Sequence, residues 1–364
     1  MNFKKTSRAM TILVTLALLL SQFTVTGQAA RVSLPSVPVT FTILHTNDFH
    51  GNLEWKSGGS SSNPGMARVA AVVNGVRTTV GAENVLLLDA GDEMQGSLLS
   101  NIQKGAPTIA VYNAMSYDAA TFGNHEFDWG QDVLTARVEE AAYPYLSANI
   151  VANDTGNCAT AGWTPPDFAQ PYIIKTVGTA PNTVNVGIIG VTSTETPIIT
   201  VASATEGLCF KDPADSISHY YNAMKADADV IVVLSHLGYP DGGYGYGIPI
   251  YGDQTLAQKL TTAGKPVNLI VGGHSHTSLA TATVPTGTNT TVVQAAYNGR
   301  RVGRADITVN PSGNVSINWT YTLVPTGAAD PVDATVDALI TSYASDPDYQ
   351  AMINEEIGWT NVPI

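Results

Sequence analysis

Short runs of apolar, β-branched residues alternate with segments of helical periodicity along most of the chain. The runs are continuously apolar, which is typical of strands buried on both faces. Predicted strands are Val39–His45, Asn84–Leu88, Val184–Val191, Val230–Leu234 and Asn268–Val271. Predicted helices are Met66–Val80, Pro107–Met115, Gln131–Ala142, Ala214–Ala226 and Thr255–Ala263. This alternation of strand and helix predicts a layered α/β architecture.

The pattern changes in the last quarter of the chain, where three strand-like segments follow one another. Tight-turn signals such as Asn298-Gly299 and Ser312-Gly313 separate them, so they predict an antiparallel meander that closes the sheet system. The segments are Thr291–Tyr297, Arg301–Val309 and Asn314–Leu323. A helix is expected over Val332–Ala344, and the last twenty residues show little periodicity.

The N-terminal segment has the layout of a secretory signal peptide. A basic start (Lys4, Lys5 and Arg8) precedes an apolar run, Met10–Leu20, and small residues precede a cleavage point after Ala29. The apolar run is short for a membrane span, although a permanent N-terminal anchor remains the alternative. Residues 1–29 are therefore predicted to be removed, which places the mature protein in the periplasm or outside the cell.

Composition narrows the choice of partner. The chain of 364 residues is 44% hydrophobic, which is enough to bury a large core. Its net charge of −13 would repel a nucleic-acid polymer. It contains two cysteines, Cys158 and Cys209. In an exported protein such a pair suggests one disulfide, while unpaired cysteines or a catalytic cysteine remain open.

Polar motifs occur at the ends of five apolar runs. Because the carboxyl ends of strands in α/β sheets share one edge, loops that are distant in sequence can meet there. The motifs are Asn47-Asp48-Phe49-His50, Asp89-Ala90-Gly91-Asp92, Gly123-Asn124-His125-Glu126-Phe127-Asp128, Ser235-His236 and Gly272-Gly273-His274-Ser275-His276.

Their side chains suit divalent transition metals, because they mix imidazole, carboxylate and amide ligands. Seven candidate ligands exceed the needs of one tetrahedral site and fit two metals that share a ligand. Asp92 is the expected bridge, since a carboxylate can face two cations. Zn, Mn, Fe and Co all remain possible. The two other histidines are interpreted differently: His45 as a hydrogen-bonded structural residue, and His219 as a packing or surface residue.

The motifs together resemble the metallophosphoesterase (calcineurin-like) superfamily, within it the secreted 5′-nucleotidase and 2′,3′-cyclic-nucleotide phosphodiesterase branch. The resemblance covers about Phe41 to Val324 and rests on ILHTNDFHGNLE, PGMAR, LLLDAGDEMQGS, TFGNHEFDWG, VLSHLG and VGGHSH. It implies a two-layer β-sandwich flanked by helices over residues 38–325. Residues 326–364 would then form a linker helix and tail.

The resemblance also implies roles for individual residues. His125 would be catalytic with Asp128 as its orienting partner, and Asn124 and His125 would contact the substrate. One metal would be held by Asp48, His50, Asp92 and His276, and the other by Asp92, Asn124, His236 and His274. Arg68 and Glu126 also match family positions, but a salt bridge or a helix-face role is equally open for each.

Two departures from the family pattern affect specificity. Some members of the branch have Gln where this chain has His276, which would shift metal preference. The family usually continues into a C-terminal domain that stacks the nucleobase, and no such domain is expected in this sequence. Nucleotide specificity is therefore less firmly predicted than phosphoester hydrolysis.

The resulting hypothesis is a secreted dinuclear-metal phosphoester hydrolase, most nearly a 5′-nucleotidase, in which a metal-bridging hydroxide attacks phosphorus. Its substrate would be a small phosphate ester such as a nucleotide. A 2′,3′-cyclic-nucleotide phosphodiesterase or a broad phosphoesterase, with sulfur esters included, is the alternative. A non-catalytic secreted module that binds metal or ligand is a further one.

Overall fold

The strands form two large sheets and one short ribbon. A computed structural model describes residues 34–58, 62–153, 156–239, 250–355 and Gly358; the predicted signal peptide lies outside the described residues. The strands are β1 Val39–Thr46, β2 Val85–Asp89, β3 Ala119–Thr121, β4 Tyr145–Leu146, β5 Ile150–Ala152, β6 Tyr172–Thr179, β7 Asn182–Thr192, β8 Leu208–Phe210, β9 Val230–His236, β10 Leu269–Gly272, β11 Thr291–Val293, β12 Arg301–Val309 and β13 Val315–Leu323.

The first sheet has the order β13-β12-β1-β2-β3-β4 and the second the order β11-β10-β9-β7-β6. They pack face to face, because alternate residues of each strand point into one shared apolar layer. In β1, Phe41 and Ile43 enter that layer while Leu44 faces outward into a second core. In β9, Val232 enters the layer and Val233 faces outward. Both faces are buried, as the continuous apolar runs predict.

Helices cover the outer face of each sheet. Buried residues of α1 (Met66–Val80) and α3 (Ala106–Met115) pack on the first sheet, and those of α6 (Pro213–Asp227) and α7 (Asp253–Thr262) pack on the second. The prediction of a mixed α/β fold, a β-sandwich flanked by helices, is therefore confirmed. The helices are α1 Met66–Val80, α2 Leu98–Ile102, α3 Ala106–Met115, α4 Gln131–Glu140, α5 Thr196–Ile199, α6 Pro213–Asp227, α7 Asp253–Thr262, α8 Ala334–Ala344 and α9 Pro347–Ile353.

The predicted three-stranded meander is wrong. β12 and β13 do form an antiparallel hairpin, and β12 pairs antiparallel with β1. β11, however, joins β10 in parallel in the other sheet. It is buried on both faces: Val293 lies in the layer between the sheets, and Val292 packs in the core under the helices that cover the second sheet. The chain then crosses to the first sheet before Arg301.

The C-terminal helices pack on the sandwich. Val336 and Ile340 of α8 and Tyr349 of α9 are buried in the core that also contains α1 and α3. The backbone N–H of Asp333 donates to the Ala67 carbonyl at 2.8 Å, and the Trp55 indole donates to the Thr326 carbonyl at 2.8 Å. The sequence predicts α8 but not α9, which lies in the stretch of weak periodicity.

Cys158 and Cys209 form a disulfide with 5.5 Å between their Cα atoms. Cys209 lies in β8, which pairs antiparallel with β5 in the short ribbon. The pairing suggested by the sequence is thus present. Among the described residues, every helix is too short or too polar to cross a bilayer.

Candidate metal centre

Loops from both sheets converge at one edge of the sandwich. β1, β2 and β3 run parallel and end there, as do β9 and β10 of the second sheet. Within the first sheet, the His50 N–H donates to the Asp92 carbonyl at 2.9 Å. Between the sheets, the His274 N–H donates to Asp48 Oδ1 at 2.8 Å. The edge is therefore shared by two sheets rather than formed by one.

The predicted ligands form two groups at this edge. In each group the candidate ligand atoms all lie within 4.8 Å of one another. His50 Nε2 is 3.0 Å from His276 Nε2, and His236 Nε2 is 3.0 Å from Asp92 Oδ2. The first group is Asp48, His50 and His276, and the second is Asp92, His236 and His274.

Most of these predicted ligands have a left-handed backbone conformation, which residues other than glycine rarely adopt. Such conformations cost about 1–3 kcal/mol each and persist where the surrounding structure enforces them, commonly at functional sites. The φ angles are 50° at Asp48, 53° at His50, 58° at Asp92, 74° at His274 and 53° at His276.

Burial and neighbouring charges shift the pKa values of the predicted ligands. Burial alone would lower the pKa of His236, but Asp92 raises it to about 10, so without a metal ion His236 carries the positive charge beside Asp92. Burial raises the pKa of Asp48 to about 8, although His236 acts in the opposite direction. Burial would also raise the pKa of Asp92, but His236 holds it well below its usual range. Burial lowers the pKa of His50, and it lowers that of His276 to about 4, so both imidazoles are neutral, the state that binds metal.

Asn124 supplies a further test of fit. Its Oδ1 atom is buried and has no hydrogen-bond partner among the described residues, which is costly unless something else satisfies it. Carboxylate, amide oxygen and neutral imidazole are together the donors that divalent first-row metals accept. The residues present therefore fit two such ions, one at each group, and the role of Asp92 as a bridge between them stays a prediction.

His125 and Asp128 form a pair beside the ligands. His125 Nδ1 lies 2.7 Å from Asp128 Oδ2, and this hydrogen bond raises the pKa of His125 to about 9. The His125 backbone N–H donates to Asp92 Oδ1 at 2.9 Å, which fixes the pair relative to the expected bridging ligand. The partnership that the family resemblance implies is thus present in the structure.

A cavity of about 380 Å³ opens over the cluster. Asn124 and His125, the predicted substrate contacts, both line it, and Ile199 provides its main apolar wall. The full lining is His50, Asp92, Asn124, His125, Ile199, His274, Ser275 and His276. The cavity is large enough for a phosphoryl group and part of an organic substituent.

Glu126 positions the ligand loops rather than forming a salt bridge or facing outward on a helix. It is 1% exposed, and its carboxylate accepts hydrogen bonds from the backbone N–H groups of Asp92 (2.8 Å), Glu93 (2.9 Å) and Gly123 (2.6 Å). Two of the loops that carry ligands are thereby tied to one carboxylate.

Two residues outside the predicted ligands and catalytic residues also reach the site. Asn47 donates to Asp48 Oδ2 at 2.6 Å, and Glu195 Oε1 lies 2.6 Å from His274 Nε2. Glu195 follows β7 by three residues, so its position after an apolar run was the available signal. It lacks a neighbouring polar motif, so the sequence pattern does not distinguish it from other polar residues.

The remaining residues considered from sequence lie elsewhere. Arg68 packs over the Trp55 ring at 5.0 Å and donates to the Gly327 carbonyl at 3.0 Å, so it holds the C-terminal segment. His45 is buried and accepts a hydrogen bond from the Trp319 indole at 3.3 Å, as expected for a structural residue. His219 stacks on Trp163 with ring centroids 4.4 Å apart.

Comparison with known proteins identifies the family. The sequence model of the calcineurin-like phosphoesterase family matches residues 41–278, which is more than half of the chain. The chain belongs to the calcineurin-like phosphoesterase family. The sequence-based prediction of family, fold and enzyme class, a metal-dependent phosphoester hydrolase, is thereby confirmed at the level of the family.

Relatives that this chain matches include 5′-nucleotidases and Protein UshA. The 5′-nucleotidase of Bos taurus is 32% identical over 343 residues, covering 87% of this chain and 52% of the relative. Protein UshA of Salmonella pullorum is 31% identical over 328 residues, covering 84% of this chain and 56% of the relative. The chain thus spans about half the length of the curated relatives it matches.

Solved structures share the fold. The 5′-nucleotidase precursor from Thermus thermophilus is 30% identical with a TM-score of 0.68, covering 87% of this chain and 60% of that one. The calcineurin-like phosphoesterase YfkN from Bacillus subtilis is 24% identical with a TM-score of 0.70, covering 87% of this chain and all of that one.

Proposed function

We propose that this chain hydrolyses phosphate monoesters, with 5′-nucleotides as the preferred substrates, by means of two divalent cations. The observation that carries the proposal is the placement of two ligand groups and the His125–Asp128 pair around one cavity. Relatives described as 5′-nucleotidases support the nucleotide part of the proposal.

Asp48, His50, Asp92 and His276 would hold one cation, and Asp92, Asn124, His236 and His274 the other. Bound cations of this kind lower the pKa of water to near neutrality and neutralise charge on phosphoryl oxygens. The buried carboxyl groups of Asp48 and Asp92, with Asp48 giving up its proton as a cation binds, would give the site its negative charge. The neighbouring imidazoles would give it selectivity for transition metals over calcium.

His125 would act on the leaving group. Its Nδ1 is held by Asp128, so Nε2 is the nitrogen that can donate a proton to the departing alkoxide or a hydrogen bond to the phosphoryl group. Asp128 keeps the ring in one orientation and one tautomer. The arrangement requires no movement of the ligand loops, because the His125 N–H is already bonded to Asp92.

Export is part of the proposal. The signal-like segment over residues 1–29 and the Cys158–Cys209 disulfide both favour an oxidising compartment outside the cytoplasm. We propose cleavage after Ala29, which N-terminal sequencing of the protein recovered from the culture medium or periplasm tests directly. An intact N-terminus held in the membrane fraction would contradict it.

A substrate panel tests the reaction. Purified mature protein is stripped of metal, reconstituted separately with Mn²⁺, Co²⁺ or Zn²⁺, and assayed with AMP, 2′,3′-cyclic AMP, p-nitrophenyl phosphate and bis-p-nitrophenyl phosphate. The proposal predicts metal-dependent release of phosphate with the highest kcat/KM for AMP. Preference for the cyclic nucleotide or the diester would replace it with a phosphodiesterase, and no turnover at full metal loading would indicate a binding module.

A further inference from the structure

Glu195 is buried against a predicted metal ligand. Its side chain is 1% exposed, that of His274 is 9% exposed, and Oε1 lies 2.6 Å from His274 Nε2. A buried carboxylate at this distance forms a short, charge-assisted hydrogen bond with an imidazole N–H. The nitrogen that faces Glu195 is therefore the protonated one, and Nδ1 is the atom with a lone pair for a metal.

The backbone holds Glu195 in place. Thr192, three residues earlier in β7, is paired in register with His236 of β9, and its hydroxyl donates to the Phe122 carbonyl at 2.9 Å. The Glu195 carbonyl then accepts hydrogen bonds from Ile198 at 2.7 Å and Ile199 at 3.1 Å. Glu195 is thus attached to the strand that neighbours another ligand, rather than to a mobile loop.

The partner of His274 differs in charge from those of two other ligand histidines. His50 Nδ1 lies 3.0 Å from the Gln95 carbonyl, and His236 Nδ1 lies 2.7 Å from the Ala90 carbonyl. Both partners are neutral backbone oxygens, whereas His274 has a carboxylate. An anionic partner fixes the ring and makes the opposite nitrogen a stronger ligand.

We propose that Glu195 is a positioning residue for one of the two metal sites: by accepting the His274 Nε2–H bond it selects the tautomer that binds metal through Nδ1, and it thereby sets the affinity of the Asp92–Asn124–His236–His274 site. The proposal rests on the metal assignment in the proposed function. It does not depend on which ester is hydrolysed.

Metal binding provides the first test. Glu195→Gln keeps the size of the side chain but removes its charge, and Glu206→Gln is the control, because Glu206 is an exposed glutamate in the same segment. Calorimetric titration of stripped protein with Mn²⁺ should show two classes of site. In Glu195→Gln one class weakens by about 10–100-fold, the loss typical for such outer partners, while the other stays as in the control.

Wild-type affinity for both sites in Glu195→Gln would overturn the proposal, as would equal weakening of both. The measurement uses no substrate, so it separates failure of this inference from failure of the proposed reaction. A protein that bound both cations normally in every variant but hydrolysed nothing would refute both proposals, whereas weakening of one site without any hydrolysis would refute only the reaction.

The tautomer gives a second test that needs no variant at Glu195. ¹⁵N-labelled histidine spectra of metal-free wild-type protein should show His274 protonated at Nε2, with its signals assigned by their loss in His274→Gln. Protonation at Nδ1 would overturn the proposal, even if Glu195→Gln failed to fold. Where that variant folds, its unfolding midpoint in urea shows whether a change in affinity reflects loss of structure.

Discussion

The substitution Gly123→Ala tests how tightly the ligand loops are packed around Asp92. A Cβ atom at residue 123 would lie 2.1 Å from Asp92 Oδ1, 2.7 Å from its Cγ and 2.7 Å from its backbone N, whereas ordinary contacts begin at 3.4 Å. The backbone N–H of Asp92 donates a hydrogen bond to Glu126, so relief of these contacts displaces the Asp92 carboxylate and strains that hydrogen bond.

The size of the effect follows from that geometry. The carboxylate must move by roughly 1 Å, a displacement that in active sites can cost about a hundredfold in rate. Because Asp92 is the proposed bridge between the two cations, binding of both should weaken. The crowded methyl group should also destabilise the metal-free protein by about 1–3 kcal/mol, the usual cost of overpacking.

The assay combines metal content, Mn²⁺ affinity, phosphatase activity and urea unfolding of stripped protein. Gly75→Ala is the matched control: Gly75 lies within helix α1, and a Cβ there meets nothing within 4 Å. It should leave metal binding unchanged and stabilise the protein by about 0.5–1 kcal/mol. Wild-type metal affinity and activity in Gly123→Ala would refute the placement of Asp92 and Gly123 at the centre.

Three other perturbations have defined outcomes. His125→Ala should keep two cations per chain but lose about 10²–10⁴-fold in kcat, and unchanged kcat would remove His125 from the reaction. Burial lowers the pKa of His45 to about 3, so between pH 6.5 and pH 3 the unfolded chain binds a proton that the folded protein does not. The free energy of unfolding therefore decreases as the pH is lowered through this range. Between pH 7 and pH 4.5 the free energy of unfolding, measured in urea, should therefore decrease by about 2–3 kcal/mol less in His45→Gln than in wild type. Equal decreases would contradict this. Replacing Cys158 and Cys209 together by serine should cost about 2–4 kcal/mol, because the disulfide closes a sequence separation of 51 residues; an unchanged urea midpoint would contradict it.

Convergence of the ligands was predictable because it depends on strand ends. Asp48 and Asp92 closely follow buried strands, and His236 and Gly272 end two others, so parallel pairing alone brings them to a common edge. The periodicity that identifies such strands does not reveal which sheet each one joins. That is why the division of the site between two sheets, and the pairing of β11 with β10, emerged only from the structure.

Residues that position the ligands were harder to predict. Glu126 lies within a recognisable motif, yet its three hydrogen bonds to backbone N–H groups depend on how two loops fold together. Glu195 has no neighbouring motif and meets His274 across 79 positions of sequence. Contacts of this kind follow from tertiary packing and cannot be predicted from local residue patterns.

Stepwise loading of stripped protein with Mn²⁺, with turnover measured at each step, tests the central claim most directly. A centre built from Asp48, His50, Asp92, Asn124, His236, His274 and His276 should take up two cations per chain, and hydrolysis should reach its full rate only after the second is bound. Full hydrolysis by stripped protein, or after a single equivalent, would contradict the two-cation centre.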